Sequence, residues 1–364
     1  DESILISDSL TLVGIGSTKP IITGLGSSQN YIVKVDGAEN VTLDNLEVNG
    51  GGLGVGDNAF DYGVWISGTN NAEIANSVIK NVWQTNGNGI QVDDSTNSNI
   101  HNNQISLFHK RGIRYVNSDG DFNGNEVMGE SVNGVDRVQN LVTLWTGSSV
   151  EVYNNILHNA LTLTGSTPLW DSPAVFVSSY FVSYPDNGSS HADIHDNEIY
   201  NGDSGIIVGS FYADTDTSSA EVTDNNLHDL NWAINFEKDS VSAAIHENKF
   251  VSVNKAINAE TSDGLVTMAS EINAENNYWG VASGPAAGMV VDNVDFDPWC
   301  TNDTCTTFSG GASIVSADPV DVDEEFTPEI ESTLARGSEA YIGRETTYTG
   351  SPLGADTDSI KWKV

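Results

Sequence analysis

The sequence predicts an all-β fold, a solenoid of short parallel strands, and three observations carry that prediction. An apolar residue followed three positions later by Asn and five positions later by a second apolar residue recurs along the chain: Ile100/Asn103/Ile105, Phe122/Asn125/Val127, Val152/Asn155/Leu157, Ile194/Asn197/Ile199, Val222/Asn225/Leu227 and Ile245/Asn248/Phe250. Ser77 and Leu46 take the Asn place in two earlier copies. Each copy is preceded by a short alternating segment entered by a small residue, among them Gly63–Ile66, Gly89–Val92, Gly112–Tyr115, Ala174–Val177, Gly205–Val208, Ala233–Phe236 and Ala256–Ala259. Successive Asn positions differ by 22, 30, 42, 28 and 23, which describes a coil of about 22 residues lengthened by insertions at its corners.

Taken in order, the chain opens directly in a strand, Ile4-Leu5-Ile6, without the amphipathic helix that commonly caps such a stack. Removal of an upstream segment is the simpler account of that opening, and cover by another copy or partner is the other. Each following coil reads as two short strands with Gly and Asn corners. The Asn103, Asn125, Asn155, Asn197, Asn225 and Asn248 column reads as structural. Stacked amides at an inward bend hydrogen-bond from copy to copy and to corner backbone groups that are otherwise buried unpaired. Residues 300–327 lose the period and turn acidic (Asp318, Asp321, Asp323, Glu324, Glu325), as a linker does. In 328–364, Ala340–Ile342 and Thr346–Thr349 read as strands of a further β module or of a tail lying on the solenoid.

After the last copy come Asn276-Asn277-Tyr278-Trp279-Gly280, Ser283-Gly284-Pro285 and Asp297-Pro298-Trp299. With these closing segments the chain resembles the right-handed parallel β-helix proteins of the pectate-lyase-like superfamily, and more narrowly their bacterial and archaeal surface-protein relatives. The resemblance implies a right-handed parallel β-helix of about ten coils over residues 1–299. It leaves function open, because that superfamily contains lyases, hydrolases, epimerases, phage depolymerases and non-catalytic surface proteins.

Charge narrows the field. Fourteen basic residues stand against 51 acidic ones in 364, a net charge of −37, which argues against unaided binding to nucleic acid or an anionic membrane. Basic partners, divalent cations or a saline medium fit instead. No apolar run of about 18 residues marks a transmembrane segment, and no basic-then-apolar leader is present. Cys300 and Cys305, the only cysteines, are spaced for a small loop disulfide, which points to an oxidising, extracellular setting. The sequons at Asn40, Asn187 and Asn302 agree with export.

Stacking the Gly-Ile segments gives an outward column of Trp65, Gln91, Arg114, Thr143, Phe176, Ile207, Asn235 and Asn258, and beside it Ser67, Asp93, Val116, Trp145, Ser178, Gly209, Glu237 and Glu260. A glycoside hydrolase needs two convergent carboxylates. Asp93 and Asp94 have no acidic neighbour in the adjacent coils, which argues against that chemistry. β-Elimination needs a base and a group that neutralises the sugar carboxylate. His109, Lys110, Arg111, Arg114 and Tyr115 are the one cluster that qualifies, although basic residues at a corner also serve merely to offset nearby acids. For calcium, Asn117-Ser-Asp119-Gly-Asp121-Phe-Asn123 starts with EF-hand spacing, but Phe122 replaces the needed Gly and Met128 the bidentate Glu. A solenoid-corner Ca²⁺ site is expected instead at Asp119 and Asp121 or at Asp214 and Asp216, with Asp93 and Asp94 as further candidates. A further outward column (Thr42, Glu73, Asn99, Asp121, Glu151, Asp193, Glu221, Ala244) is mostly acidic and reads as a solvated face. The column beside it holds His101, His195 and His246, two or more coils apart and too distant for one metal ion. Trp65, Trp145, Trp170, Phe176, Tyr180 and Tyr212 offer aromatic faces for sugar rings or a protein partner.

The sequence thus predicts an extracellular structural or surface protein (cell-surface layer, matrix or filament subunit) that self-associates or binds other surface proteins or polysaccharide. A polysaccharide lyase acting on an acidic polymer is the alternative.

Overall fold

Three turns per coil follow from where the chain places residues that tolerate a left-handed backbone. In one coil, strands Asn88–Asp93, Ser98–His101 and Gln104–Phe108 form faces one, two and three. Arg111–Val116 then returns to face one and pairs in parallel with Asn88–Asp93. The structure, a computed structural model, describes residues 3–24, 29–51, 60–84, 86–129, 139–161, 172–179, 188–209, 217–237, 241–259, 271–291 and 293–309, with 340–341 and 362–363. Face two is an eleven-stranded sheet. Faces one and three share an eighteen-stranded one, because strands Glu198–Gly209 and Asn226–Glu237 run round the corner between them. The fold is an all-β parallel β-helix.

Each coil has three strands where the sequence suggested two. The third follows the Asn corner directly and is short: Glu126–Met128 and Ile156–His158 contribute only Val127 and Leu157 as fully buried apolar residues, too little alternation to read as a strand. Face-one strands are legible because each sends two residues inward. Val64, Ile90, Ile113, Val142, Val175, Ile206, Ile234 and Ile257 form one interior column, every member fully buried, each burial stabilising by about 1.5–3 kcal/mol. Small residues open these strands for a packing reason. A Cβ on Gly89 would stand 2.7 Å from the Gly112 carbonyl oxygen of the next level.

The corner amides stack without interruption. Asn103, Asn125, Asn155, Asn197 and Asn225 each donate from backbone N and from Nδ2 to Oδ1 of the ladder residue one level on, at 2.9–3.2 Å. Asn248 does the same to Asn277, at 2.9 and 3.0 Å. Each Nδ2 also reaches back to a carbonyl of the preceding coil, such as Ile100 O from Asn125 at 2.8 Å. Asn277 ends the ladder, and Ser77 and Leu46 occupy its start. The residue before each rung supplies the bend: Asn76, Asn102, Asn154, Asp196, Asp224, Glu247 and Asn276 have φ between 50 and 62°. Asn and Asp enter that region more readily than other side chains, which accounts for the Asn-Asn and Asp-Asn pairs. A hydroxyl ladder at the corner after face one does similar work: Thr69 N donates to Ser95 Oγ and Ser95 N to Ser118 Oγ, both at 3.1 Å.

At the far end, the residues that carry the family resemblance close the stack. Trp279 packs 5.1 Å from Phe250, Phe296 meets Trp279 edge-on at 6.0 Å, and Trp299 lies 6.3 Å from Phe296. Gly284, at φ 82°, passes beneath Trp299 where a Cβ would come within 2.6 Å of the indole. Cys300 and Cys305 are joined by a disulfide. Residues 310–327 of the expected linker lie outside the described residues, as does most of 328–364, where Ala340–Tyr341 pairs in parallel with Trp362–Lys363. No helix among the described residues is long and apolar enough to cross a membrane.

Candidate functional site

Parallel register turns sequence spacing into columns. On face one, Lys34, Trp65, Gln91, Arg114, Thr143 and Phe176 occupy successive levels of one outer column, continued by Ile207, Asn235 and Asn258. Tyr31, Tyr62, Asn88, Arg111 and Asn140 form the row on one side of it, and Asp93 and Trp145 lie on the other. Lys34 Nζ sits 4.0 Å over the Trp65 ring, which Tyr62 flanks at 4.9 Å and Tyr31 at 6.3 Å. Three levels on, ~14 Å away by strand spacing, Trp145 lies under two guanidinium groups, Arg111 at 4.3 Å and Arg114 at 5.4 Å.

Beneath these groups, half-buried apart from the buried Arg111, runs a buried polar layer. Gln91 Oε1 accepts from Arg114 Nε at 2.5 Å and from Asn88 Nδ2 at 3.0 Å, while Gln91 Nε2 donates to Asp93. Asp93 also accepts from Trp65 Nε1 at 2.8 Å. Burial pushes the Asp93 carboxyl above its ordinary range, although the Arg114 charge and the Gln91 and Trp65 hydrogen bonds oppose the shift. Burial likewise drives the Arg111 guanidinium well below its usual range, and the like charge of Arg114 adds to the effect. Arg111 Nε finds no acceptor among the described residues.

Several sequence-derived assignments are corrected. Tyr115 points into the coil and is fully buried, its phenol raised by burial, because strand alternation sends it opposite to Arg114. His109 is buried and its Nδ1 sits 2.9 Å from Gln84 O, a corner contact. Lys110 is half-buried at the same corner. The outward column is not a solvent face throughout: Gln91, Thr143, Phe176, Ile207, Asn235 and Asn258 are buried, so Phe176 is unavailable as an exposed aromatic contact. Trp170, Tyr180, Tyr212, Asp214, Asp216 and Glu260 lie outside the described residues.

The four remaining acids named for calcium lie in separate surroundings. Asp93 belongs to the buried face-one layer, and Asp94 accepts from Asn117 Nδ2 at 2.8 Å. Asp119 caps the Asn97 amide at 2.7 Å on face two. Asp121 faces Glu151 across one level, and its carboxyl is raised by burial, then by Glu151 and Asp119. No three His, Cys, Asp or Glu side chains among the described residues converge to hold a metal ion. A polar hollow of about 410 Å³, lined mainly by Asn40, Thr42, Asn71, Glu73, Asn97 and Asn99, lies on face two, on a different face from the aromatic and basic groups of face one.

Sequence reasoning missed Lys34, Tyr31 and Tyr62. Tyr31-Ile-Val-Lys34-Val35 aligns with Tyr62-Gly-Val-Trp65-Ile66, a match that would have extended the column by one level.

The fold and this face define a parallel β-helix protein with aromatic rings and cations gathered on one outer face. No family model and no curated protein matches the chain. Among solved structures it is similar to the tailspike gp61 of Pseudomonas phage phi297, at 9% identity and a TM-score of 0.46, over 77% of this chain and 50% of the tailspike. It is also similar to the GH136 lacto-N-biosidase from Eubacterium ramulus, at 13% identity and a TM-score of 0.44, over 76% of this chain and 61% of the enzyme. The chain thus spans about half to three-fifths of the length of these proteins.

Proposed function

We propose that the protein is an extracellular surface protein that binds an acidic polysaccharide along face one. The observation that carries this reading is the pairing of cations with aromatic rings at two points three levels apart, Lys34 on Trp65 and Arg111 with Arg114 on Trp145. Three of the chain's 14 basic residues gather there in a protein of net charge −37. An aromatic face takes the apolar face of a sugar ring, and a guanidinium pairs with its carboxylate or sulfate. The Gln91 and Asp93 contacts hold Arg114 and Trp65 in place before ligand arrives.

Titration of the full chain with alginate, pectate and glycosaminoglycans tests this reading. Saturable binding to one of them, weakened by salt, is expected, with Trp145→Ala and Arg114→Ala each losing about tenfold or more in affinity. Failure to bind any of a broad panel overturns it.

One observation favours cleavage as a second reading. Arg111 and Arg114 share the Trp145 ring, where a guanidinium is suited to neutralise a uronate carboxylate and so ease loss of the neighbouring proton. β-Elimination would move the C5 proton to a base, break the C4–O bond, return a proton to the departing C4 oxygen and leave an unsaturated sugar end. Ultraviolet absorbance from such ends, abolished by Arg111→Ala, is the expected result. Binding without any rise in absorbance removes this second reading and leaves the first intact.

A further inference from the structure

Five of the seven histidines repeat one geometric relation. In each case a Glu lies one level before the histidine, in register with the residue two positions ahead of it: Glu73 opposite Asn99, Glu126 opposite Ile156, Glu151 opposite Asp193, Glu198 opposite Asn226 and Glu221 opposite Ala244. The Glu therefore meets the imidazole diagonally across the level gap. Glu73–His101 measures 3.0 Å, Glu126–His158 3.4 Å, Glu151–His195 2.9 Å, Glu198–His228 3.4 Å and Glu221–His246 3.9 Å. Two faces of the solenoid share the relation, since His158 and His228 belong to face three and the others to face two.

Two of these rings have a carboxylate at each nitrogen. His195 has carboxylate oxygens 2.9 Å from both nitrogens, Glu151 at Nε2 and Asp196 at Nδ1. His228 has Glu198 at 3.4 Å and Asp229 at 2.9 Å in the same arrangement. A neutral imidazole carries one N–H, so one carboxylate must then face a bare lone pair, and only the imidazolium donates to both. Tyr153 stacks 5.1 Å from His195, an arrangement that favours a charged ring there, and Tyr200 stacks 5.0 Å from both His158 and His228, all within 5° of parallel.

We propose that the bridge from His195 to Glu151 and Asp196 is an acid-set clamp, in which the protonated histidine ties its coil to the one before it and the tie slackens as the medium becomes alkaline. The surroundings are predominantly anionic. Asp193 and Asp196 flank His195 on its own level, and Glu221 and Asp224 follow on the next. Asp121 lies on the level after His101, Glu198 on that after His158, and Glu247 is adjacent to His246. Burial disfavours the charged ring at His195, but hydrogen bonds and charge from Asp196 and Glu151 outweigh it and hold the imidazole above its ordinary range. A folded-state value above the unfolded one contributes stability that is complete below the unfolded value and lost as pH rises through the folded one.

Thermal unfolding of the full chain between about pH 5.5 and pH 8, a range that spans ordinary histidine titration, tests the clamp against the variant His195→Gln. The wild type should gain in Tm on acidification by more than the variant, with the difference closing toward pH 8. Parallel profiles would overturn the proposal. Should that variant fail to fold, histidine ring NMR on the variant Glu151→Gln decides the matter. The His195 midpoint should fall by roughly 0.5–1 unit, and an unmoved midpoint sinks the clamp.

Discussion

Two columns of like residues run along this solenoid, and they behave oppositely. At the corner between faces two and three, Asn103 to Asn277 stack amide on amide, buried and fully bonded. On face two, Asp121, Glu151, Asp193 and Glu221 stack carboxylate on carboxylate over four successive levels, each at least partly exposed. The fold imposes the same ~4.8 Å repeat on both. A carboxamide has donors and acceptors, so a pile of identical amides is self-complementary. An ionised carboxylate only accepts, so the same pile repels itself and needs water, salt or a cation. Repetition is therefore stabilising or costly according to one chemical property of the repeated group.

The sharpest way to break that contrast is Asn155→Leu. It removes the acceptor of Asn125 N and Nδ2 and the donor to Phe122 O, leaving buried polar groups unpaired at about 1–3 kcal/mol each. Denaturant unfolding should show a loss of about 3 kcal/mol or more, and a variant as stable as the parent would refute the ladder's energetic role. Ser95→Ala tests the hydroxyl ladder in the same way. It deprives Thr69 N of its acceptor, so a loss of about 1 kcal/mol is expected.

The acid column should answer with the opposite sign. Asp121→Asn removes one repelling partner of Glu151 and should stabilise by a few tenths of a kcal/mol at neutral pH. Because the folded protein holds the Asp121 proton more tightly than the unfolded chain, wild-type stability from this group rises as pH falls through its raised value, and the advantage of the amide disappears there. High salt should erase it as well, since the screening length falls to ~3 Å near 1 M. A gain from Asp121→Asn that persists at low pH and in high salt would place its origin in packing rather than charge.

Much of this architecture is written in the sequence because it repeats. Asn155 and Asn197 are 42 residues apart, yet the shared motif aligns them, and Asn155 Nδ2 donates to Asn197 Oδ1 at 2.9 Å. The outer columns follow from the same alignment. Other features carry too little signal. Val127 and Leu157 are single core residues on short strands, so the third face went unseen. Arg114 and Tyr115 are adjacent in sequence and opposite in space, so a cluster counted along the chain mixed surface with core. The Glu–His pairs were split between two columns, and only a diagonal contact joins them.

The amino-acid order alone determined the period, the register and the stacked amides, because a side chain repeated once per coil meets its own kind on the next level. Tertiary structure alone decided which outer residues stay accessible, which guanidinium lies buried over Trp145 and which imidazole reaches a carboxylate. Those outcomes depend on packing across neighbouring levels, and distance along the chain does not encode it.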